Sequence, residues 1–227
     1  MKVLVLNGSP KAERSDTLHI ARAFCDGMKS AADVEVKEIH VIKKRIEYCT
    51  GCFVCKKNGG TCVIRDDMAE ILDEIKSSDV IIYSFPLYSY GMPAPLKNVI
   101  DRLMPLSSWA MVREENGKYG HTMHKGLDSL RYVMLCGCGF PNSKHNFEAA
   151  VRQFELKFPR NRTIITVPES PMFNIPQADE LTKPRLELIK QAGAQYAANG
   201  EIEAELMQAV TSPMLPDQIY AQFAINF

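Results

Sequence analysis

Four of the seven cysteines lie close together in the chain and are its clearest candidates for metal or redox chemistry: Cys49, Cys52, Cys55 and Cys62. Their spacing is C-x2-C-x2-C-x6-C, and the intervening glycines let the backbone curl around a common centre. Structural zinc sites generally use two separated pairs of ligands, whereas two successive x2 gaps are typical of iron–sulfur ligation. An odd number of cysteines without a secretion signal argues against a disulfide framework. The segment therefore predicts a metal or redox centre; an iron–sulfur cluster, zinc, redox thiols and a remnant of a lost site are the alternatives.

A second candidate site lies at the N-terminus, where an apolar segment, 3–6, leads into a loop and then into a helix predicted to begin near residue 15. Free N–H groups and the positive end of the helix dipole favour an oxyanion there. Neither a Walker loop nor a G-x-G-x-x-G pattern is present. Hydroxyls, amides and one cation can bind a terminal phosphate without a metal ion, which favours flavin mononucleotide (FMN). The alternative is that these residues only cap the helix and form a plain turn.

The segment 6–18, LNGSPKAERSDTL, resembles the phosphate loop of the flavodoxin-like NAD(P)H-dependent FMN reductases. The family pattern is N-G-S-P-R/K followed by a small polar run that ends in threonine. The resemblance implies that the phosphate-binding residues are Ser9, Lys11, Ser15, Thr17 and Leu18.

The segment 84–103, SFPLYSYGMPAPLKNVIDRL, resembles the loop and helix of the same family that adjoin the flavin, with the pattern P-x-Y-x-x-x-x-P-x-x-L-K-N-x-I-D. It differs from the common version at Leu87 and Ser89, where the family often has an acidic or polar residue and an asparagine. The alternative is a proline-bounded turn whose tyrosines only pack. The resemblance implies contacts with the ribityl chain or the ring from Pro86, Leu87, Tyr88, Ser89, Tyr90 and Gly91.

A third loop is predicted after the sequence Cys-Gly-Cys-Gly at positions 136–139. Glycine allows the backbone to approach a ligand closely, so we expect Gly137 and Gly139 to lie beside the isoalloxazine ring, within a loop 137–140 that positions it. Cys136 is predicted to be a buried strand residue rather than a nucleophile.

The four-cysteine segment, followed by Asp66-Asp67-Met68, resembles the iron–sulfur flavoprotein subgroup of these reductases. That resemblance implies a 4Fe-4S cluster in the loop after the second strand, ligated by the four cysteines. With the two flavin loops, it covers roughly residues 1–170.

Apolar segments that alternate with helical patterns predict five strands, at 3–6, 34–42, 79–86, 131–136 and 163–167. Such alternation is typical of an α/β fold, and we predict a flavodoxin-like doubly wound parallel sheet in the order 2-1-3-4-5. Ligands of such sheets bind at the carboxyl ends of the strands near the switch point, which would bring together the loops 7–17, 86–95 and 137–145.

Two segments exceed this minimal fold within one predicted domain, 1–227. The insertion 104–130 before the fourth strand contains the only tryptophan, Trp109, and is interpreted as a lid or an oligomer contact. The tail 201–227 extends a helical C-terminal region, and its aromatic residues Tyr220, Phe223 and Phe227 are expected to need a cover. We therefore predict a homodimer or a homotetramer.

Composition limits the function. Basic and acidic residues are equal at 27 each, without a basic block, so nucleic acid is not an expected partner. We expect no membrane segment and a cytoplasmic location, since no long apolar run or signal peptide is present.

The predicted function is an FMN-dependent oxidoreductase that passes electrons between NAD(P)H or ferredoxin and a small acceptor, with a 4Fe-4S cluster and no side chain acting as nucleophile. The alternatives are a non-enzymatic electron carrier or redox sensor, and a plain NAD(P)H:FMN or quinone reductase without a cluster.

Overall fold

The computed structural model describes residues 1–113 and 117–225. Five strands form one parallel sheet, and two more form a separate antiparallel hairpin. The strands are β1 (Lys2–Asn7), β2 (Glu35–His40), β3 (Val80–Pro86), β4 (Ser107–Arg113), β5 (Tyr119–Met123), β6 (Arg131–Gly137) and β7 (Arg162–Val167). The helices are α1 (Asp16–Ala31), α2 (Val54–Lys57), α3 (Met68–Ser77), α4 (Ala94–Asp101), α5 (Glu148–Lys157), α6 (Asp179–Asn199), α7 (Ala204–Thr211) and α8 (Asp217–Ala224).

The parallel sheet has the order β2-β1-β3-β6-β7, which confirms the predicted order, because the hairpin strands β4 and β5 lie outside it. Strand β1 is buried on both faces: Leu4 and Leu6 pack into one apolar core, and Val3 and Val5 pack into the other. A central parallel strand covered on both sides has this continuous apolar sequence. The carboxyl ends of β1, β3 and β6 therefore lie side by side at one edge.

Helices cover both faces of the sheet. The core that contains Leu4 and Leu6 also includes apolar residues of α3, α4 and α5, whereas the opposite core includes those of α1, α6 and α7. Helices α1 and α6 cross closely, since a Cβ added at Gly27 would lie 1.8 Å from the carbonyl oxygen of Lys190. This close crossing holds α1 in place against α6, and the N-terminus of α1 lies at the loop after β1.

The insertion differs from its expected form as a long connection, because residues 107–123 contain the antiparallel hairpin of β4 and β5. Met111 pairs with His121 and Val112 with Gly120. The hairpin contacts the cysteine segment: the Nζ of Lys56 donates to the Oγ of Ser107 at 2.6 Å. Its lid or oligomer role stays a prediction.

Tyr220, one of the tail aromatics expected to need a cover, is 1% exposed and packs beside Met172 and Ala178 of its own chain. The tail is held by the buried carboxylate of Glu169, which accepts hydrogen bonds from the backbone N–H groups of Met214 and Leu215. Phe223 is half-buried, and Phe227 lies outside the described residues. Across the described part of the chain, we find no helix with the length and apolar character needed to cross a membrane.

Candidate functional site

The loop between β1 and α1 is organised by the side chain of Asn7, which is fully buried. Its Oδ1 accepts a hydrogen bond from the backbone N–H of Ser9 at 3.1 Å, and its Nδ2 donates to the carbonyl oxygen of Ala12 at 2.9 Å. Ala12 has a φ of +50°, a left-handed conformation that is uncommon for a residue with a side chain. Asn7 therefore sets the shape of the loop, although the sequence analysis assigned it no role.

Three hydroxyl side chains in the loop and the first turn of α1 are buried: Ser9 is 1% exposed, Ser15 is 1% exposed and Thr17 is 0% exposed. The Oγ of Ser15 lies 2.9 Å from the Oγ1 of Thr17, and Ser15 forms no side-chain helix cap. The structure thus argues against the alternative in which Ser15 only caps the helix. Leu18 is also buried and packs into the apolar core between α1 and the sheet.

Lys11, the cation predicted to bind the phosphate, is paired with a carboxylate. Its Nζ lies 2.8 Å from the Oδ2 of Asp16, the first residue of α1. Because Asp16 largely compensates this charge, amides and hydroxyls rather than Lys11 are the main groups available to an anion here.

Gly137, at the end of β6, brings the third loop against the first. A Cβ at this position would lie 2.6 Å from the Cβ and Oγ of Ser170 and 2.8 Å from the Cγ2 of Thr17. Gly139 has no such constraint, because its Cβ would meet Pro171 only at an ordinary 3.6 Å. Gly137 is therefore required for packing within the protein, whereas Gly139 is not. The expected position of both glycines beside the ring stays a prediction.

The loop after β3 is a tight two-residue turn. Tyr88 and Gly91 exchange backbone hydrogen bonds of 3.0 and 2.9 Å, while Ser89 and Tyr90 have φ values of +48° and +61°. This type of turn usually contains glycine or asparagine, so the two side chains are held in a strained backbone. Strain of this kind is concentrated at functional sites. Pro86 precedes the turn as the last residue of β3.

The second and third loops meet at the same edge of the sheet. The N–H of Leu87 donates to the carbonyl oxygen of Gly137 at 2.7 Å. The rings of Tyr90 and Phe140 are nearly parallel, with an interplanar angle of 11° and centroids 6.1 Å apart, and both are largely exposed. The predicted flavin residues are thus gathered around one edge, with an aromatic rim.

All four clustered cysteines are free thiols and line one pocket together with Arg102, Met104 and Pro105. Cys49 and Cys52 are exposed, Cys55 is buried and Cys62 is half-buried. Burial raises the pKa of Cys55, whereas the backbone N–H of Val54 lowers the pKa of Cys52. In the described ranges, 1–113 and 117–225, no three His, Cys, Asp or Glu side chains are arranged to hold a metal ion. The thiols are therefore near one another but are not drawn together around a single ion.

The cysteine segment is supported by a buried ion pair that the sequence analysis did not find. The side chains of Arg102 and Asp66 are 2% and 0% exposed, and their closest contact is 2.8 Å. Burial opposes ionisation of Asp66, but the hydrogen bonds and charge of Arg102 together with the backbone N–H groups of Glu47 and Met68 hold the pKa of Asp66 below its ordinary value. The same guanidinium lies 3.5 Å from the Sγ of Cys62. On the other side, the ring of Phe53 packs on Trp109 with centroids 5.4 Å apart.

A family model described as NADPH-dependent FMN reductase matches residues 1–126, which include the phosphate loop, the cysteine segment and the tight turn. The chain belongs to this reductase family. The match ends before β6 and so does not include Gly137 and its loop.

Two curated relatives of this chain are named iron–sulfur flavoproteins. One, from Archaeoglobus fulgidus, is 34% identical over 141 residues, which are 62% of this chain and 57% of the relative. The other, from Methanocaldococcus jannaschii, is 36% identical over 117 residues, which are 52% of this chain and 59% of the relative. The chain thus spans somewhat over half the length of these relatives.

Solved structures support the fold of the reductase. An FMN-dependent NADH-azoreductase from Bacillus anthracis in complex with FMN is 16% identical, with a TM-score of 0.61 and coverage of 86% of this chain and 99% of that one. An NAD(P)H:quinone oxidoreductase from Methanothermobacter marburgensis is also 16% identical, with a TM-score of 0.62 and coverage of 86% and 96%.

The other three cysteines of the reductase lie in its interior. Burial raises the pKa of Cys25 to about 12 and that of Cys138 to about 11, and it also raises the pKa of Cys136 well above its ordinary value. These thiols are protonated at neutral pH and are poor nucleophiles. The predicted burial of Cys136 is confirmed.

Proposed function

We propose that this chain is an FMN-dependent oxidoreductase that passes electrons between NAD(P)H or a ferredoxin and a small acceptor. The observation that supports this best is the convergence of three loops at the carboxyl ends of β1, β3 and β6. One loop offers a helix N-terminus with three buried hydroxyls, the second is a strained turn, and the third approaches through Gly137. Ligands of doubly wound sheets bind at such an edge.

The residues at this edge fit FMN in their chemistry. Ser9, Ser15 and Thr17, with the amides at the start of α1, would hold the terminal phosphate; Lys11 and Leu18 would border it. FMN, when bound, supplies both hydride and one-electron chemistry, so the protein needs no nucleophilic side chain. The ring and ribityl chain would be positioned by Pro86, Leu87, Tyr88, Ser89, Tyr90, Gly91, Gly137 and Gly139.

The second cofactor that we propose is a 4Fe-4S cluster ligated by Cys49, Cys52, Cys55 and Cys62. Four thiols that line one pocket form a soft donor set, which suits iron–sulfur or zinc rather than a hard cation. Their arrangement lacks the convergence expected for one ion, and a cluster of four irons accepts more widely spaced thiolates. The names of the two relatives point in the same direction.

One preparation tests both cofactors. The protein is purified anaerobically, its absorption spectrum is recorded, and flavin, iron, sulfide and zinc are quantified per chain. We expect one FMN, identified by mass spectrometry, and about four irons and four sulfides. Released FAD instead of FMN would contradict the phosphate assignment. Stoichiometric zinc without sulfide would leave a flavin reductase without a cluster.

A second candidate function is a non-enzymatic electron carrier or redox sensor. It is favoured by the exposure of Cys49 and Cys52 at the surface, where a protein partner could reach them. Steady-state assays with NAD(P)H and a quinone, a flavin or dioxygen separate the two functions. An enzyme turns over, whereas a carrier shows negligible turnover but is reduced rapidly by ferredoxin.

We also propose that residues 1–227 form a single domain that assembles into a homodimer or homotetramer. The tail packs through Tyr220 against Met172 and Ala178, which follow the last strand of the sheet, and this contact supports a single domain. Trp109, Met111 and Val112 on the hairpin strand β4 are 49%, 68% and 41% exposed, which supports a partner surface there. Light scattering tests the assembly; a monomer would contradict it.

A further inference from the structure

One buried cation borders the cysteine pocket. Arg102 follows α4, and its Nη1 and Nη2 donate to the two carboxylate oxygens of Asp66 at 2.8 and 3.0 Å. Nη1 also donates to the carbonyl oxygen of Glu47. Nη2 lies 3.5 Å from the Sγ of Cys62, a hydrogen-bond distance for sulfur. Within the described residues, the side chain of Arg102 forms no hydrogen bond with a residue proposed to bind FMN.

The pairing with Asp66 determines what Arg102 offers to the thiol. The carboxylate largely cancels the positive charge, so the pair brings little net charge to the pocket. The bidentate contact also fixes the plane of the guanidinium, because the fork of N–H groups matches the two oxygens of a carboxylate. The Nη2 group of Arg102 is therefore an N–H donor to Cys62 whose orientation is fixed by Asp66.

Cys62 is the ligand that most needs such a donor. Cys49, Cys52 and Cys55 are spaced by two residues each, so their relative positions follow from local turns and from α2. Cys62 is separated from Cys55 by six residues, among them Gly59 and Gly60, so local geometry restricts its position less. Hydrogen bonds to ligand sulfurs are among the features that set the reduction potential of an iron–sulfur cluster.

We propose that Arg102 is a positioning residue for Cys62, and that its Asp66-oriented N–H directs the thiolate into the pocket and stabilises the reduced form of the cluster. When the electron donor, NAD(P)H or ferredoxin, supplies one electron, the cluster gains negative charge and no bond is made or broken. A directed N–H donor therefore stabilises the reduced form more than the oxidised form. The inference rests on the proposed function, because it requires that the four cysteines ligate a cluster.

The decisive variant replaces both members of the pair, Arg102→Met with Asp66→Asn. It keeps the net charge and leaves no buried charge unpaired. It removes the N–H donor to Cys62, together with one of the two side-chain acceptors for the backbone N–H groups of Glu47 and Met68. Arg102→Lys is the conservative second variant, since an ammonium lacks the planar fork that serves Asp66 and Cys62 together. Lys97→Met removes an exposed ion pair with Asp101 on α4 and is the matched control.

Each protein is purified anaerobically, its FMN and iron are quantified, and the cluster is titrated with dithionite under electron paramagnetic resonance. We expect the double variant to retain FMN and to have a lower potential, with at least a tenfold shift in the reduction equilibrium, or about 59 mV for a one-electron couple. Arg102→Lys should lie between the double variant and the wild type. Lys97→Met should match the wild type.

The outcomes separate this inference from the proposed function. Absence of iron and sulfide in the wild type overturns the cluster, and the inference with it. A wild-type cluster with an unchanged potential in the double variant overturns only the role of Arg102. If the double variant loses iron but keeps FMN, a lowered potential in Arg102→Lys supports the inference and an unchanged one overturns it. Joint loss of iron and FMN in both Arg102 variants also overturns it, because the residue would then support the whole fold.

Discussion

The phosphate loop and the cysteine segment are held in place in different ways. In the phosphate loop, Asn7 bonds to residues two and five positions away, and Ser15 contacts Thr17. In the cysteine segment, the supporting contacts come from distant parts of the chain: Arg102 reaches Cys62 across 40 positions, and Lys56 reaches Ser107 across 51. The first region is therefore organised largely by neighbouring residues, with added contacts from His40 to Asn7 and from Ser84 to Gly8. The second depends more on distant parts of the fold.

This difference has consequences for binding. A ligand at the phosphate loop meets groups that are already in position, so little conformational freedom is lost on binding. Cys49 and Cys52 are exposed, so metal binding at the cysteine segment is coupled to local ordering of these thiols. We expect the FMN site to survive changes in the cysteine segment.

The largest expected effect comes from breaking the buried ion pair that supports the cysteine segment. Asp66→Ala leaves the guanidinium of Arg102 buried without its carboxylate, and it also removes acceptors for the N–H groups of Glu47 and Met68. The loss of one partner of a buried pair costs about 3–5 kcal/mol. Chemical denaturation should show this decrease in the free energy of unfolding.

The matched control is Asp101→Ala, which breaks the exposed pair with Lys97 on α4. An exposed helical pair of this spacing contributes about 0.3–0.5 kcal/mol. Equal losses in the two variants would mean that the Asp66 pair does not support the cysteine segment.

The phosphate loop should respond in ligand affinity rather than in stability. Thr17→Ala removes a buried hydroxyl and should weaken FMN binding by about 1.5–3 kcal/mol, or roughly ten- to a hundred-fold, as expected for a hydrogen bond to a charged group. Fluorescence titration of the apoprotein measures this. Thr61→Ala, at an exposed position of the cysteine segment, should leave the affinity unchanged. If both variants bind FMN like the wild type, Thr17 does not contact the phosphate.

The contact between the first and third loops can be tested by adding one methyl group. Gly137→Ala places a Cβ within 2.8 Å of Thr17 and 2.6 Å of Ser170, and overpacking of this kind costs about 1–3 kcal/mol. Gly139→Ala is the matched control, because its nearest neighbour is 3.6 Å away. We expect a lower melting temperature and weaker FMN binding only for the first variant. An equal effect of both would argue against the close packing at Gly137.

The same contrast explains what the sequence could predict. The sheet order followed from continuous apolar strands and right-handed crossovers, and the phosphate loop could be identified because its residues are neighbours in the chain. The pairing of Lys11 with Asp16 is also local, and the spacing of opposite charges could have indicated it. The residues of the tight turn were found through their pattern, although its left-handed backbone at Ser89 and Tyr90 was not.

The features that were missed depend on tertiary contacts. Arg102 lies just beyond a helix whose sequence gives no sign of a buried cation, and Asp66 comes from a loop 36 positions earlier. The hairpin was missed because the residues of β4 are mostly exposed, which removes the apolar alternation that identifies a strand. The cover of Tyr220 was not identified, because the residues that form it, near Met172, are remote in sequence.

The smallest expected effect concerns pH and the support behind the third loop. Glu169 is fully buried next to Ser170, and burial raises the pKa of its carboxyl group above the ordinary value near 4.5, although the N–H groups of Met214 and Leu215 oppose this. A carboxyl whose pKa is higher in the folded state than in the unfolded state favours folding when it is protonated. Its stabilising contribution is therefore complete below the unfolded value and is lost as the pH rises through the folded value.

Glu169→Gln, which stays neutral, should remove this dependence. Between pH 4.5 and pH 7.5, the free energy of unfolding of the wild type should fall relative to that of the variant, as measured by denaturation at both pH values. Glu180→Gln, at an exposed position of α6, controls for the loss of one surface charge. A wild type that gains stability relative to Glu169→Gln as the pH rises would mean that the two backbone N–H groups outweigh burial. The tail would then be held by an ionised carboxylate, and the third loop, like the phosphate loop, would rest on a site already organised for negative charge.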